Sequence, residues 1–389
     1  MSNTAGRTDF YRIEQLLSPE ERDVRDVATR FVDREVLPII REHFEKGIFP
    51  APLIPKLAEA GFLGANIKGY DCPGINNVAY GLMLQELERG DSGMRSFVSV
   101  QSALVMFPIL EYGSEEQKNR WLPKLAKGQA VGCFGLTESD HGSDPASMTT
   151  KAVRKADRYV LDGSKMWITN GSIADIAVVW AKLDGEIRGF LVEKGTPGFS
   201  AQDIGHKFSL RASVTSELSF NHCEIPQANI LPKTKSLICA LRCLNQARYG
   251  IAWGAIGAAT ACYEEALNHA KNRIMFGKPI GAFQLVQEKL ANMVTEITKA
   301  QLLALQVGRL KDKGEATHAQ ISMAKRNNVK IALGIARQAR DILGASGISL
   351  EYSCLRHMLN LESVITYEGT DSIHTLIIGK EVTGIDAMS

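Results

Sequence analysis

The spacing of apolar residues changes twice along this chain, and that double change rules out any fold built from one kind of layer. From Ser18 to about Lys127, leucine, valine and isoleucine recur at three- and four-residue steps, with breaks at Pro50, Gly61, Gly69 to Gly74 and Gly90 to Gly93. That period is helical. Between about Gly128 and Leu231, short β-branched or alternating runs are punctuated by glycine and aspartate, as in strands and hairpins. From Leu237 onward the helical period returns over about 237–271, 284–313 and 317–344, then over Leu355–Val364 and Ile373–Val382. At 389 residues the chain exceeds what one hydrophobic core usually holds. An α+β architecture is therefore expected, with an N-terminal α-helical domain over 1–127, a central β-domain over 128–235 and a C-terminal four-helix bundle over 236–389.

Local signals sharpen the elements. Ser18-Pro19-Glu20-Glu21 reads as a helix start, with a capping serine, proline in the first turn and acidic residues at the positive helix end. Ser114-Glu115-Glu116-Gln117 carries a capping box. Tyr159–Leu161, Lys165–Thr169, Ile176–Ala181 and Phe190–Glu193 read as strands, with Asp162-Gly163 and Asp184-Gly185 as hairpin turns. Ile321, Ala324, Asn328, Ile331, Ile335, Ala339 and Ile342 form one bundle-facing stripe. The longest nearly apolar helical run, Ile251–Tyr263, is too short to span a bilayer and reads as a buried bundle helix, so no membrane association is expected.

Composition excludes several classes of function. A formal charge of +2 argues against a dedicated nucleic-acid binder, which needs concentrated lysine and arginine. Seven scattered cysteines without a Cys-x-x-Cys suit reduced thiols in a cytosol-like compartment. Cys239 and Cys243 read as core thiols, and no metal site is expected. The Met1–Arg7 segment has no export or organelle signature, so a cytoplasmic location is expected. The chain also lacks a phosphate-binding P-loop, a His-Glu-x-x-His zinc motif, a Gly-x-Ser-x-Gly elbow and the alternating βαβ units of a dinucleotide-binding sheet.

What remains is a distributed set of segments, each open to two readings. Glu368, between Tyr367 and Gly369 in an inter-helix turn, is either a partly desolvated general base or a capping carboxylate. Phe134–Asp144 runs from a strand into a loop rich in glycine and hydroxyls, able to approach a planar or anionic ligand or simply to turn. Trp167, in Lys165–Asn170, is a core residue or a cofactor-facing one. Arg273, followed by Phe276-Gly277, either complements a helix C-terminus or reaches a pyrophosphate. Asp341–Gly347 is a helix stop or a nucleotide turn.

In this order and on this framework, these segments resemble the acyl-CoA dehydrogenase family over essentially the whole chain. The resemblance rests on Leu136-Thr137-Glu138, Gly142-Ser143-Asp144, Trp167–Asn170, Arg273 with Phe276-Gly277, Gln284 and Tyr367-Glu368-Gly369-Thr370. It implies an acyl-CoA dehydrogenase-like fold, FAD as cofactor and a homotetramer built as a dimer of dimers. It also implies an electron-transfer flavoprotein as electron acceptor and Glu368 as catalytic base. By the same resemblance Phe134, Leu136, Thr137, Ser143, Trp167, Ile168, Thr169 and Thr370 surround the flavin. Arg273, Phe276, Gln284, Asp341, Ile342, Leu343, Gly344 and Ala345 hold the nucleotide of a neighbouring subunit's FAD.

Within the family the likeness is densest to the branch that oxidises glutaryl-CoA, in Glu86–Ser102 and from Asn245–Trp253 through Glu368. It implies that Arg95 binds a distal substrate carboxylate, as a charge-assisted arginine contact can. Glu88, Ser96, Ser99 and Tyr367 then line the distal end, Ser143 and Gly369 complete the acyl site, and Leu241, Asn245 and Arg248 meet the CoA portion. Met94, Asp371-Ser372 and Ala345 depart from that branch's usual residues. The expected reaction is oxidative decarboxylation of glutaryl-CoA to crotonyl-CoA. The alternatives are a non-decarboxylating dehydrogenase of this or another acyl thioester and, against the near-neutral charge, a DNA-associated flavoprotein.

Overall fold

The structure, a computed structural model, describes residues 9–387; the Met1–Arg7 segment lies outside them. Helices α1 (Pro19–Phe31), α2 (Leu37–Lys46), α3 (Leu53–Glu59), α4 (Asn77–Gly90), α5 (Ser92–Ser99), α6 (Phe107–Tyr112) and α7 (Glu115–Ala126) form the first part. A two-strand ribbon, β1 (Lys68–Gly69) and β2 (Cys72–Pro73), interrupts them where the glycines had indicated only a break. The Ser18 and Ser114 caps are both present with their reciprocal Glu21 and Gln117 bonds. A π-helical stretch, Val100–Met106, joins α5 to α6, so Ser92–Tyr112 is one continuous helix. By length and hydropathy this run, rather than Ile251–Tyr263, comes nearest to a membrane span among the described residues; 89% of its most apolar 18-residue window is buried inside the protein.

The middle part is a seven-stranded sheet, β3 (Gly132–Gly135), β4 (Lys151–Lys155), β5 (Arg158–Thr169), β6 (Ile176–Leu183), β7 (Glu186–Glu193), β8 (Phe199–Asp203) and β9 (Thr215–Pro226). Its order is β3-β6-β4-β5-β9-β8, with β7 also paired to β6. Asp184-Gly185 makes the β6–β7 hairpin as expected, both residues having positive φ. Asp162-Gly163 does not turn. It lies inside the twelve-residue β5 at a register shift against β9, and a Cβ on Gly163 would fall 2.6 Å from Thr150 Oγ1. The glycine there permits a bulge and a close approach, while the actual β4–β5 turn is Ala156-Asp157, Lys155 pairing with Arg158.

Helix α8 (Leu237–Asn272) is followed by a second ribbon, β10 (Ile274–Met275) and β11 (Lys278–Pro279), then α9 (Gln284–Asp312), α10 (His318–Ile342), α11 (Cys354–Val364) and α12 (Asp371–Thr383). The expected stripe on α10 is buried except at half-buried Ile331. One hydrophobic core runs from the N-terminal helices into this bundle, uniting α4 with α8. Two glycines set their separation: a Cβ on Gly257 would lie 1.9 Å from the Gln85 carbonyl oxygen, and one on Gly254 1.9 Å from Glu88 Oε2. Helix α4 thus delivers Glu88 directly onto α8.

The segment between β8 and β9 fastens all three parts. Lys207 Nζ donates to Thr215 Oγ1 at 2.7 Å in the sheet, Arg211 donates to the Phe44 and Glu45 carbonyls of α2, and Leu210 N donates to Asn360 Oδ1 of α11. Ser209 and Ser363 hydroxyls meet at 2.6 Å.

Candidate active site

The turn between α11 and α12 brings Tyr367, Glu368 and Gly369 onto the buried faces of α8 and α10. Glu368 has φ 52° and Gly369 φ 97°. A left-handed glutamate is sterically unfavourable and persists where its surroundings enforce it. Arg248 Nε on α8 donates to the Glu368 carbonyl at 2.8 Å, and Lys325 Nζ on α10 donates to the Tyr367 and Gly369 carbonyls at 3.0 and 2.7 Å. Thr370 caps α12, its hydroxyl accepting Ile373 N. In the first turn of that helix the buried His374 ring lies against Gly369, where a Cβ would be 2.8 Å from Nε2.

Glu368 is half-buried, its Oε2 is shut off from solvent, and that oxygen has no partner among the described residues. Burial raises its pKa above the usual carboxylate range, with Arg95, Arg248 and Lys325 partly opposing the rise. Burial lowers Lys325 to about 7 and His374 to about 3. A carboxylate with an unused oxygen and a raised pKa is suited to taking a proton from carbon.

Beyond Tyr367 lies Arg95, on α5 and 0% exposed. Its Nε donates to Glu88 Oε2 at 2.6 Å and its Nη2 to the Tyr367 hydroxyl. Ser92, not singled out from sequence, donates to the other Glu88 oxygen at 2.8 Å. Burial lowers the Arg95 pKa, but Glu88 and Tyr367 outweigh it and the guanidinium stays charged. Two polar groups here are left over: Arg95 Nη1 and the Ser99 hydroxyl are buried without a partner. Each such group calls for a partner, which a bound ligand or a water molecule can supply. Ser96 is buried on the same helix. Leu241 and Asn245 are half-buried on α8, and Asn245 Oδ1 accepts from Arg248.

On the sheet side, Trp167 sits at a second register shift in β5 with φ 63° and 59% of its surface exposed. It is thus not a core tryptophan. Thr137 and Thr169 are half-buried, Ser143 is exposed, and a Cβ on Gly142 would meet nothing. The loop is stapled from beneath: Glu138 accepts from Thr149 N, Thr150 N and Lys165 Nζ. These bonds outweigh burial and hold Glu138 down at about 2. An exposed indole beside hydroxyls on a rigid strand suits a large planar cofactor, so these residues fit FAD. Phe134, Leu136 and Ile168, on the same strands and loop, have their side chains in hydrophobic cores.

The segments expected to hold a nucleotide lie elsewhere. Arg273 and Gln284 are exposed, and Phe276 is 92% exposed at the tip of the β10–β11 ribbon. Arg273 caps the far end of α8, about 37 Å along the helix axis from Arg248 at 1.5 Å per residue. These residues therefore cannot join their own chain's Glu368 pocket. In the α10 turn Asp341, Gly344 and Ala345 are exposed, with Asp341 paired to Lys289, whereas Ile342 and Leu343 point into the bundle core. Lys325 and His374 were missed from sequence. The available signal was a lysine on the apolar face of α10, four residues after Ile321.

Comparison with known proteins matches three family models: "Acyl-CoA dehydrogenase, N-terminal domain" over residues 18–129, the middle domain over 133–223 and the C-terminal domain over 237–383. A solved glutaryl-CoA dehydrogenase from Mycobacterium smegmatis is 54% identical, with a TM-score of 0.97 over 98% of this chain and 99% of that one. A second structure of a glutaryl-CoA dehydrogenase from the same organism, in complex with FADH2, is 51% identical at the same TM-score and coverage. An acyl-CoA dehydrogenase of Bacillus subtilis is 36% identical over 95% of this chain and 99% of its own length.

Proposed function

Since this chain belongs to the acyl-CoA dehydrogenase family, whose members are FAD-dependent enzymes, we propose that it oxidises and decarboxylates glutaryl-CoA to crotonyl-CoA. The observation that carries this reading is Arg95: a fully buried guanidinium, already paired through Nε with Glu88 and through Nη2 with Tyr367, whose Nη1 has no partner among the described residues. Arg248 and, when protonated, Lys325 add positive charge but bond to neutral acceptors, so this cluster of side chains keeps a positive balance that favours an anionic acyl chain. The 54% identical glutaryl-CoA dehydrogenase supports the same substrate.

Glu368 takes the proton from the carbon α to the thioester. Thr137, Ser143, Trp167, Thr169 and Thr370 would hold FAD, which when bound would supply the acceptor for the β hydride. Arg95 and Ser99 hold the distal carboxylate and fix which carbons face Glu368, an orientation effect that lowers the barrier entropically. Loss of CO₂ from the unsaturated thioester leaves its electron pair in a dienolate, and protonated Glu368 returns a proton to give crotonyl-CoA. A raised pKa suits both directions of that transfer.

Arg273, Phe276, Gln284, Asp341, Gly344 and Ala345 would hold the nucleotide of a second chain's FAD, which requires at least a dimer; a homotetramer built as a dimer of dimers is the proposed assembly. Electron-transfer flavoprotein is the proposed acceptor. Seven unbridged cysteines support a reducing compartment, the cytoplasm, and the proposed domain limits are 1–127, 128–235 and 236–389. Product analysis after one turnover of glutaryl-CoA tests the reaction: crotonyl-CoA with released CO₂ is expected, and glutaconyl-CoA alone would refute decarboxylation.

A further inference from the structure

Lys325 occupies the apolar face of α10 and is 1% exposed. Burying a lysine is costly unless its charge is matched, yet its two hydrogen bonds go to neutral carbonyls, those of Tyr367 and Gly369. We propose that Lys325 is a positioning residue for dehydrogenation, holding the peptide unit that precedes Glu368 and the one that follows Gly369 so that the Glu368 N–H and carboxylate both face the thioester. This rests on Glu368 being the base.

The geometry follows from the peptide unit. All peptide bonds among the described residues are trans, so the carbonyl and N–H of one unit point in opposite directions. Lys325 draws the Tyr367 carbonyl toward α10, and the N–H of that unit, which belongs to Glu368, is thereby turned away from α10. The Gly369 carbonyl fixes the next plane but one, and Arg248 takes the Glu368 carbonyl between them. Three successive carbonyls are thus held by cationic side chains from two helices, which is what maintains the left-handed Glu368. A neutral amine keeps two N–H donors, so the positioning survives loss of charge, and only the electrostatic bias on Glu368 requires the proton. The charged groups facing Lys325 are Glu368, Arg248, Arg95 and Asp371.

The test compares Lys325→Met, Lys325→Gln and Glu368→Gln as flavin-loaded enzymes, assayed with an artificial electron acceptor. Lys325→Met should lower kcat by about 10²-fold, the scale of losing one preorganised donor to a developing oxyanion. Its KM and flavin absorbance should stay near wild type. The acid limb of its kcat/KM profile should move to higher pH, because a cation beside Glu368 is gone while Arg95 and Arg248 remain. Lys325→Gln, which keeps two amide donors without charge, should recover part of kcat but show the shifted limb. A near-wild-type kcat in Lys325→Met, or a loss that merely tracks lost flavin, overturns the proposal. Should Lys325→Met not fold, an unshifted acid limb in Lys325→Gln overturns it. Full activity in Glu368→Gln would instead remove the base assignment itself, an outcome distinguishable because it does not involve Lys325.

Discussion

Replacing Arg95 by methionine separates substrate recognition from scaffolding. The substitution removes a fully buried guanidinium and leaves Glu88, also 0% exposed, with only the Ser92 hydroxyl. A buried carboxylate stripped of its cation costs about 3–5 kcal/mol, so the single variant loses stability whatever Arg95 does in catalysis. That loss is common to all substrates and cancels in a ratio. The substrate-specific part is the proposed bond from Nη1 to a distal carboxylate, and truncating one side of a buried charged contact costs about 2–5 kcal/mol. At about 1.4 kcal/mol per factor of ten, discrimination between glutaryl-CoA and uncharged pentanoyl-CoA should fall by roughly 30- to 5,000-fold. The assay is kcat/KM for both thioesters in wild type, Arg95→Met and the double variant with Glu88→Gln, which removes the stranded carboxylate. The double variant should regain stability without regaining discrimination. Equal losses for the two substrates would show that Arg95 serves only to neutralise Glu88, and the dicarboxylate reading would lose its carrying observation.

Glu368→Gln should keep flavin and substrate binding but lose nearly all turnover, visible as unchanged flavin absorbance with collapsed kcat; a variant retaining most activity would place the base elsewhere. His374, lowered to about 3 in the folded protein from 6.5, takes up a proton in the unfolded chain that the native state refuses. Stability should therefore fall as pH drops from about 6.5 toward 3, by roughly 2 kcal/mol between pH 7 and 5. Denaturant midpoints at those two pH values should show a smaller drop in His374→Gln, and an identical drop would refute the assignment. Gly257→Ala forces a methyl to within 1.9 Å of the Gln85 carbonyl, a backbone atom that cannot step aside. It should cost at least about 1–3 kcal/mol, and an unchanged melting temperature would contradict the α4–α8 spacing.

Much of the fold was legible because local chemistry and tertiary packing agree. Ser18 and Ser114 form the caps their sequences specify, and the α10 stripe faces the core at its helical period. Asp162-Gly163 misled because the same dipeptide serves a hairpin turn and a bulge, and only the neighbouring Thr150 distinguishes them. Trp167 could not be placed from sequence, since the left-handed residue that turns the indole outward arises from a register shift between β5 and β9. Lys325 shows in the sequence only as a lysine on an apolar helix face, and its contacts do not show at all: its acceptors are main-chain carbonyls 42 and 44 residues away, which no side-chain pattern records.

The segment carrying Lys207 to Arg211 gives these three regions a shared fate under local unfolding. It is bonded at once to the sheet, to α2 and to α11, and Asn360, which accepts from Leu210 N, also donates to Asp91 Oδ2 at the start of α5. Breaking any one region free exposes polar groups that the other two had satisfied. Amide hydrogens in α2, β9 and α11 are accordingly expected to exchange with one common opening free energy, as a single cooperative unit. Asn360→Ala should split that unit and let α11, with the turn that follows it, exchange ahead of the sheet.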